Sequence, residues 1–165
     1  MTKRETRLHF RPMRWLETKI PPPVVMVLLG LAAWGVAQRL PAASFEFPLR
    51  TFFGAVMACA GLALNILPKR VFRRAGTTVN PLSPALATSL VTSGVYRYTR
   101  NPMYLGHCVI LFGWVTWLHN AAALLVVPAF VLYITRFQIL PEERYLSARF
   151  PDAYPAFRRQ VSRWL

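Results

Sequence analysis

Four long apolar segments, separated by shorter polar ones, dominate the chain. Residues 22–38, 52–67, 103–118 and 121–135 contain no Asp, Glu, Lys or Arg. At about 1.5 Å per residue, segments of roughly 16 to 20 residues approach the ~30 Å hydrocarbon core of a bilayer once flanking side chains reach the interface. The pattern therefore predicts an all-α, polytopic membrane protein with about four transmembrane helices.

The polar segments divide one membrane domain, residues 1–165, into five parts. These parts are a basic cytoplasmic lead (1–21), the first two transmembrane helices (22–67), a cytoplasmic loop (68–101), a helical hairpin (102–140) and an amphipathic cytoplasmic tail (141–165). Because little more than His119 and Asn120 separates the last two apolar segments, we expect a tight antiparallel hairpin there.

Composition and charge support this assignment. Hydrophobic residues make up 55% of the chain and charged residues 16%, which is too apolar for a typical soluble domain. Eighteen of the twenty Lys and Arg residues lie in three groups of six, within 3–19, 69–100 and 136–163. This positive-inside pattern predicts that both termini and the loop are cytoplasmic, in an integral protein of the inner cell membrane. The net charge of +14 then indicates topology and attraction to anionic lipids in the bilayer, and we expect no nucleic-acid partner.

The apolar segments also contain small and thiol side chains. Gly54, Ala58 and Gly61 are spaced to form a helix-packing face. Cys59 and Cys108 are predicted to be buried thiols rather than a disulfide or a metal pair. We predict no metal site.

The sequence "TRNPMYLGH", residues 99–107, begins the third apolar segment. Asn101 is a favoured N-cap and Pro102 suits the first helical position. These two residues account for a helix start, but they leave Arg100 and Gly106 unexplained. A helix N-terminus also attracts anions such as a carboxylate.

An acidic pair follows the fourth apolar segment. Glu142 and Glu143 are two of only six acidic residues in the chain. The hairpin returns this pair to the start of the third helix, so both should lie beside the Arg-Asn-Pro turn. A helix N-terminus and a glutamate together suit a zwitterionic ligand.

Two longer stretches resemble a known family. "LVTSGVYRYTRNPMYLG", followed about forty residues later by "EERYLSARFPDAYPAFRRQV", resembles the isoprenylcysteine carboxyl methyltransferases and the related phospholipid N-methyltransferases. The resemblance covers roughly residues 76–163. It implies an integral membrane enzyme that uses S-adenosyl-L-methionine without a Rossmann-type fold.

The resemblance also implies a cofactor site. Tyr96 and Tyr104 would line the cofactor, where an aromatic face near the sulfonium adds a cation–π interaction, and Glu142 would bind a polar or cationic part of it. By position in the family pattern, the cofactor-binding residues are Thr88, Ser89, Leu90, Val91, Tyr96, Arg100, Asn101, Pro102, Met103, Tyr104, Gly106, Glu142 and Glu143.

The chain departs from the family pattern at two positions. Asn101 stands where the family frequently has His, and Gln138 stands where the prenylcysteine enzymes have an Arg that handles the substrate. Arg136, two residues earlier, is therefore our candidate for handling the acceptor. His107, three residues after Tyr104, is the candidate base, because its unperturbed pKa lies near 6.5.

The function expected from these features is methyl transfer to a lipophilic or small-molecule acceptor at the cytoplasmic face. Two alternatives stay open at this point: an NADPH-dependent enzyme similar to the sterol reductases, and a non-catalytic membrane module. The sterol reductases resemble this family in their C-terminal half, but "PEERYLSARF" lacks their Cys-containing signature. The sequence indicates neither the acceptor atom (O, N or S) nor an oligomeric state.

Overall fold

The computed structural model describes residues 14–74 and 90–165. Within these ranges the backbone forms helices and turns without a β-strand; a single bridge pairs Ser44 with Asn120. The helices are α1 (Pro22–Arg39), α2 (Arg50–Arg74), α3 (Pro102–Trp117), α4 (Val126–Ile134), α5 (Leu140–Arg149) and α6 (Ala153–Gln160). A π-helical turn, Thr135–Ile139, joins α4 to α5, and short 3-10 turns occur at Arg14–Leu16, Pro41–Ala43, Gly94–Arg97 and Ala122–Leu125.

Three helical stretches are long and apolar enough to cross a membrane, which confirms the predicted all-α membrane fold. They are Pro22–Arg39, Arg50–Val71 and Ala122–Arg149. The 16-residue α3 is shorter, and it packs against α1, α2 and α4. The fourth span and the cytoplasmic location of the termini remain predictions.

Glycines allow α2 and α3 to touch along their length. A Cβ on Gly61 would lie 2.5 Å from the carbonyl oxygen of Gly106, and a Cβ on Gly113 would lie 2.6 Å from Cβ of Met57. Gly54 faces the same helix, since a Cβ there would be 3.4 Å from the Gly113 oxygen. The predicted packing face is therefore confirmed at Gly54 and Gly61.

The turn between α3 and α4 is fixed by one buried amide. Asn120 is fully buried, donates to the Leu40 carbonyl at 2.8 Å and accepts a hydrogen bond from the Ala123 amide at 3.2 Å. It thereby ties the hairpin turn to the connection between α1 and α2. The predicted hairpin is confirmed.

Two helices run past the boundaries expected from the sequence. α2 continues through Pro68 to Arg74, into the segment predicted as loop, because basic residues are good helix formers that favour a helix C-terminus. The last apolar helix likewise continues to Arg149, beyond the predicted end of the hairpin at residue 140.

Cys59 corrects one sequence prediction. The structure leaves it exposed, whereas Cys108 is half-buried, and both thiols are free. Cys59 lies two residues before Gly61, and two residues turn a helix by about 200°. Because Gly61 faces α3, Cys59 faces away from the bundle.

The end of the lead is fastened to the π turn. The Glu17 carboxylate accepts a hydrogen bond from Arg136 at 2.8 Å and another from Arg144. The amide of Thr18 donates to the Phe137 carbonyl at 2.9 Å. Thr18 has a φ of 57°, an outlier for a β-branched residue, so these contacts hold the lead in a strained conformation.

A methyl group at Gly61 tests the α2–α3 contact. We expect Gly61→Ala to lower the free energy of unfolding by about 1–3 kcal/mol, because overpacking forces two backbones apart. Thermal unfolding in detergent measures this loss. Gly35→Ala is the matched control, since a Cβ there has no described residue within 4 Å; equal melting temperatures for both variants would contradict the contact.

Acid should break the contact between Glu17 of the lead and the two arginines that it pairs with. Burial opposes ionisation of Glu17, but Arg136 and Arg144 outweigh it and lower the pKa of this carboxyl below its usual 4.5. Its contribution to stability is therefore fully present above about pH 4.5 and is lost as the pH falls through the folded-state pKa. We expect the protection factor of the Thr18 amide against hydrogen exchange to fall under these conditions. In Glu17→Gln it should be low already at pH 7. Asp152→Asn removes an exposed carboxylate and should leave the exchange of this amide unchanged; acceleration in both variants would contradict a local clamp.

Candidate active site

The starts of α3 and α5 meet at one end of the bundle. Tyr104 donates its hydroxyl hydrogen to Oε1 of Glu142 at 2.5 Å. Tyr104 is buried and Glu142 is half-buried. The second carboxylate oxygen of Glu142 accepts no hydrogen bond from the described residues. The predicted proximity of the Arg-Asn-Pro turn and the acidic pair is confirmed.

The neighbouring carboxylate, Glu143, has a different environment. Arg100 donates to its Oε1 at 2.8 Å, while Arg163 donates to both oxygens at 2.9 and 2.8 Å. Consecutive helical residues point about 100° apart, so the two glutamates face different partners. Glu143 is neutralised by two guanidinium groups, whereas Glu142 is not.

The C-terminal segment 161–164 lies across the start of α3. The amide of Arg100 donates to the Ser162 carbonyl at 3.0 Å, and its Nε donates to the Val161 carbonyl at 3.0 Å. The side-chain amide of Asn101 donates to the Arg163 carbonyl at 2.9 Å. Sequence reasoning missed Arg163, whose only signal was its place in a basic, aromatic tail.

Asn101 and Pro102 begin α3 as predicted. Pro102 occupies the first helical position and is fully buried. Asn101 occupies the N-cap position, but its side chain forms no capping hydrogen bond. Its amide is used instead to bind the C-terminal segment, as described above.

Tyr96 lies beside this site in a folded part of the connection between α2 and α3. It is buried in an apolar cluster with Val91 and the aromatic residues of α6, and Leu90 packs against the same cluster. Burial raises the pKa of Tyr96, and the nearby charge of Glu142 raises it further. The phenol therefore remains protonated at neutral pH.

The other predicted cofactor residues are distributed differently. Thr88 and Ser89 lie outside the described residues. Gly106 lies at the α2–α3 contact, where a Cβ would be 2.5 Å from Nδ2 of Asn65. Met103 is half-buried in the first turn of α3.

The two candidates for acceptor chemistry are engaged elsewhere. Arg136 forms the ion pair with Glu17 and stacks on the Phe137 ring, with its guanidinium carbon 5.2 Å from the ring centroid. His107 hydrogen-bonds through Nδ1 to the Met103 carbonyl at 2.7 Å. A ring that donates from Nδ1 leaves Nε2 as its acceptor. Neither side chain forms a hydrogen bond to the Tyr104–Glu142 pair.

The π turn adjoins both the lead and the C-terminal segment. Gln138, within it, is fully buried and donates to the Ile20 carbonyl at 2.7 Å, while its Oε1 has no partner among the residues that the structure describes. Trp164 donates to the Thr135 hydroxyl at 3.2 Å. π turns are rare and often occur at functional sites.

This arrangement favours a ligand with a cationic or hydroxyl group. The open oxygen of Glu142 is an acceptor, and Tyr104 fixes the orientation of that carboxylate. Arg100, Arg163 and Arg136 are already paired with carboxylates of the chain. Glu142, oriented by Tyr104, thus fits a ligand that carries ammonium or hydroxyl groups.

Comparison with known proteins identifies one matching family and two related proteins. The sequence profile of the phospholipid methyltransferase family matches residues 49–153. An uncharacterized protein of Haemophilus influenzae is 46% identical over 63 residues, covering 38% of this chain and all of that protein. The protein-S-isoprenylcysteine O-methyltransferase of Schizosaccharomyces pombe is 36% identical over 75 residues, covering 44% of this chain but only 30% of that enzyme. No solved structure matches the chain significantly.

The matched region runs from the start of α2 into the start of α6, and it includes both Tyr104 and Glu142. It spans more than half of the chain and agrees with the resemblance seen in the sequence motifs. The chain belongs to the phospholipid methyltransferase family.

Proposed function

We propose that this protein is an integral membrane methyltransferase that uses S-adenosyl-L-methionine and methylates a lipophilic or small acceptor at the cytoplasmic face of the membrane. The observation that carries the proposal is the Tyr104–Glu142 pair, with one carboxylate oxygen open. It lies inside the region that matches the family. The proposal includes the likeness to the isoprenylcysteine enzymes, and it admits O, N or S as the acceptor atom.

The residues of the site have distinct tasks. Glu142 binds a cationic or hydroxyl group, and Tyr104 holds the carboxylate in position. The protonated Tyr96 supplies an aromatic face beside Glu142. When bound, S-adenosylmethionine supplies a methyl group on a sulfonium, whose sulfur keeps the electron pair of the broken bond and leaves as a neutral thioether. The chain therefore has to align two ligands and exclude water, and it needs no strong acid for the leaving group.

Acceptor handling falls to Arg136 and His107 in this proposal. A carboxylate acceptor would exchange with Glu17 on the Arg136 guanidinium. An amine, hydroxyl or thiol acceptor would instead give its proton to the Nε2 atom of His107. A panel of acceptors assayed with Arg136→Gln and His107→Gln separates these routes.

Cofactor binding tests the proposed site directly. We expect saturable micromolar binding of S-adenosylmethionine and its demethylated product to the detergent-purified protein. Glu142→Gln should weaken binding about tenfold or more, because a hydrogen bond to a charged group is worth about 1.5–3 kcal/mol. Tyr104→Phe should weaken it less, since it frees the carboxylate without removing it. Isothermal titration calorimetry measures all three proteins.

Two variants control for indirect effects on cofactor binding. Asp152→Asn removes an exposed carboxylate, and Tyr98→Phe alters a phenol that is 78% exposed; both should bind normally. Failure of the folded wild type to bind would overturn the proposal, and NADPH would be titrated in the same cell. Binding that Glu142→Gln leaves unchanged would move the cofactor away from this carboxylate.

The ion pairs of Glu143 with Arg100 and Arg163, which form a clamp on this carboxylate, should preorganise the site. We expect Arg163→Ala to weaken cofactor binding several-fold, because Glu143 loses its bidentate partner and is then neutralised by Arg100 alone. Arg163→Lys should restore part of the loss. Arg159→Ala, at an exposed position on α6, is the matched control. A lower melting temperature with unchanged affinity in Arg163→Ala would mean that the clamp is purely structural.

A further inference from the structure

Charged side chains are also present at the opposite end of the described bundle. There, the connection from α1 to α2 and the hairpin turn carry Arg39, Glu46 and Arg50 as their only residues of formal charge. Charge in this region is unexpected, because the other eighteen basic residues of the chain lie in the three groups at the opposite side of the predicted topology.

Two of these charges converge on one cavity. It has a volume of about 460 Å³, is broadly open to its surroundings, and is lined by Ser44, Phe45, Glu46, Phe47, Pro48, Arg50 and His119. This volume falls within the range of roughly 300–1,000 Å³ that is typical of small-molecule sites. Arg39 is not part of the lining.

The acid and the base in this cavity do not neutralise each other. Among the described residues, neither Glu46 nor Arg50 forms an ion pair or a side-chain hydrogen bond. The cavity therefore presents a free carboxylate, a free guanidinium and an imidazole at once. A ligand that carries both a cation and an anion satisfies this combination.

Backbone hydrogen bonds join the two segments that form the wall of the cavity. The Phe45 amide donates to the His119 carbonyl at 2.9 Å, and Nδ1 of His119 lies 3.2 Å from the Phe45 carbonyl oxygen. The Ala121 amide donates to the Ala43 carbonyl at 2.9 Å. His119 has a φ of 44°, a costly conformation that persists only when its surroundings enforce it.

The surrounding surface places the cavity at the level of lipid headgroups. Trp114 and Trp117 are stacked on the outward part of α3 near this end, and Trp34 is exposed on α1. Tryptophans are enriched at membrane–water interfaces. Leu49 and Phe52, next to the cavity in sequence, are 65% and 70% exposed, so lipid chains can pack beside its mouth.

We propose that this cavity binds the zwitterionic headgroup of a phospholipid from the leaflet opposite the Glu142 site. Arg50 binds the phosphate, and Glu46 binds the ammonium group. The lipid then fastens the connection between α1 and α2 to the hairpin turn. This site is separate from the proposed methyl-transfer site and does not depend on its activity.

Short-chain phosphatidylethanolamine, titrated into the full-length protein in detergent, tests the site. We expect Arg50→Gln to weaken binding about tenfold, through loss of a charge-assisted contact to phosphate. Glu46→Gln should weaken binding of this lipid but not of short-chain phosphatidylglycerol, which lacks the ammonium group. Arg39→Gln removes a basic residue of the same end outside the cavity and should bind like the wild type.

Further arms of this experiment separate the alternatives. Glu142→Gln should leave the titration unchanged; a loss there would assign the lipid to the other end and overturn the proposal. Free phosphoethanolamine should bind at least tenfold more weakly than the lipid, and equal affinity would identify a soluble zwitterion as the ligand instead. Equal binding by wild type, Arg50→Gln and Glu46→Gln would also overturn the proposal. Thermal unfolding confirms that each variant is folded.

Discussion

The neutralisation of Glu143 by Arg100 and Arg163 is the interaction on which the candidate site depends. A carboxylate that is only 8% exposed is costly to bury unless its charge is compensated and its lone pairs are satisfied. Here one guanidinium comes from Arg100, two residues before α3, and the other from the C-terminal segment. The ion cluster thereby joins three parts of the chain that are distant in sequence. Because Glu143 satisfies both arginines, the adjacent Glu142 is left for Tyr104 alone.

The π turn sets the direction in which Glu142 points. One π turn inserts about one residue relative to a continuous α-helix, which rotates every later side chain by roughly 100°. The same turn exposes the Phe137 carbonyl to the amide of Thr18. The lead, the π turn and the acidic pair are thus mechanically connected, although no lead residue described in the structure touches Glu142.

Local patterns in the sequence predicted one class of features well. The apolar segments predicted the membrane helices, and the short His119–Asn120 connection predicted the hairpin and hence the proximity of the acidic pair to the Arg-Asn-Pro turn. Contacts without a local pattern were not predictable. Arg163 pairs with Glu143 across 20 residues and Glu17 pairs with Arg136 across 119, and neither separation leaves a periodic signal. The prediction that Cys59 is buried was also wrong, because an apolar membrane segment does not reveal which of its faces contacts lipid.

The scarcity of acidic residues makes their environments informative. Of the five in the described residues, Glu17 and Glu143 are each paired with two arginines, and Asp152 is exposed to solvent. Glu46 and Glu142 form no ion pair with the described residues, and each lies at a candidate site. A carboxylate in such surroundings is stabilised when a ligand supplies the missing positive charge or hydrogen-bond donor. The two proposed sites, at opposite ends of the bundle, therefore follow from the same electrostatic constraint: each contains a carboxylate that no arginine of the described residues neutralises.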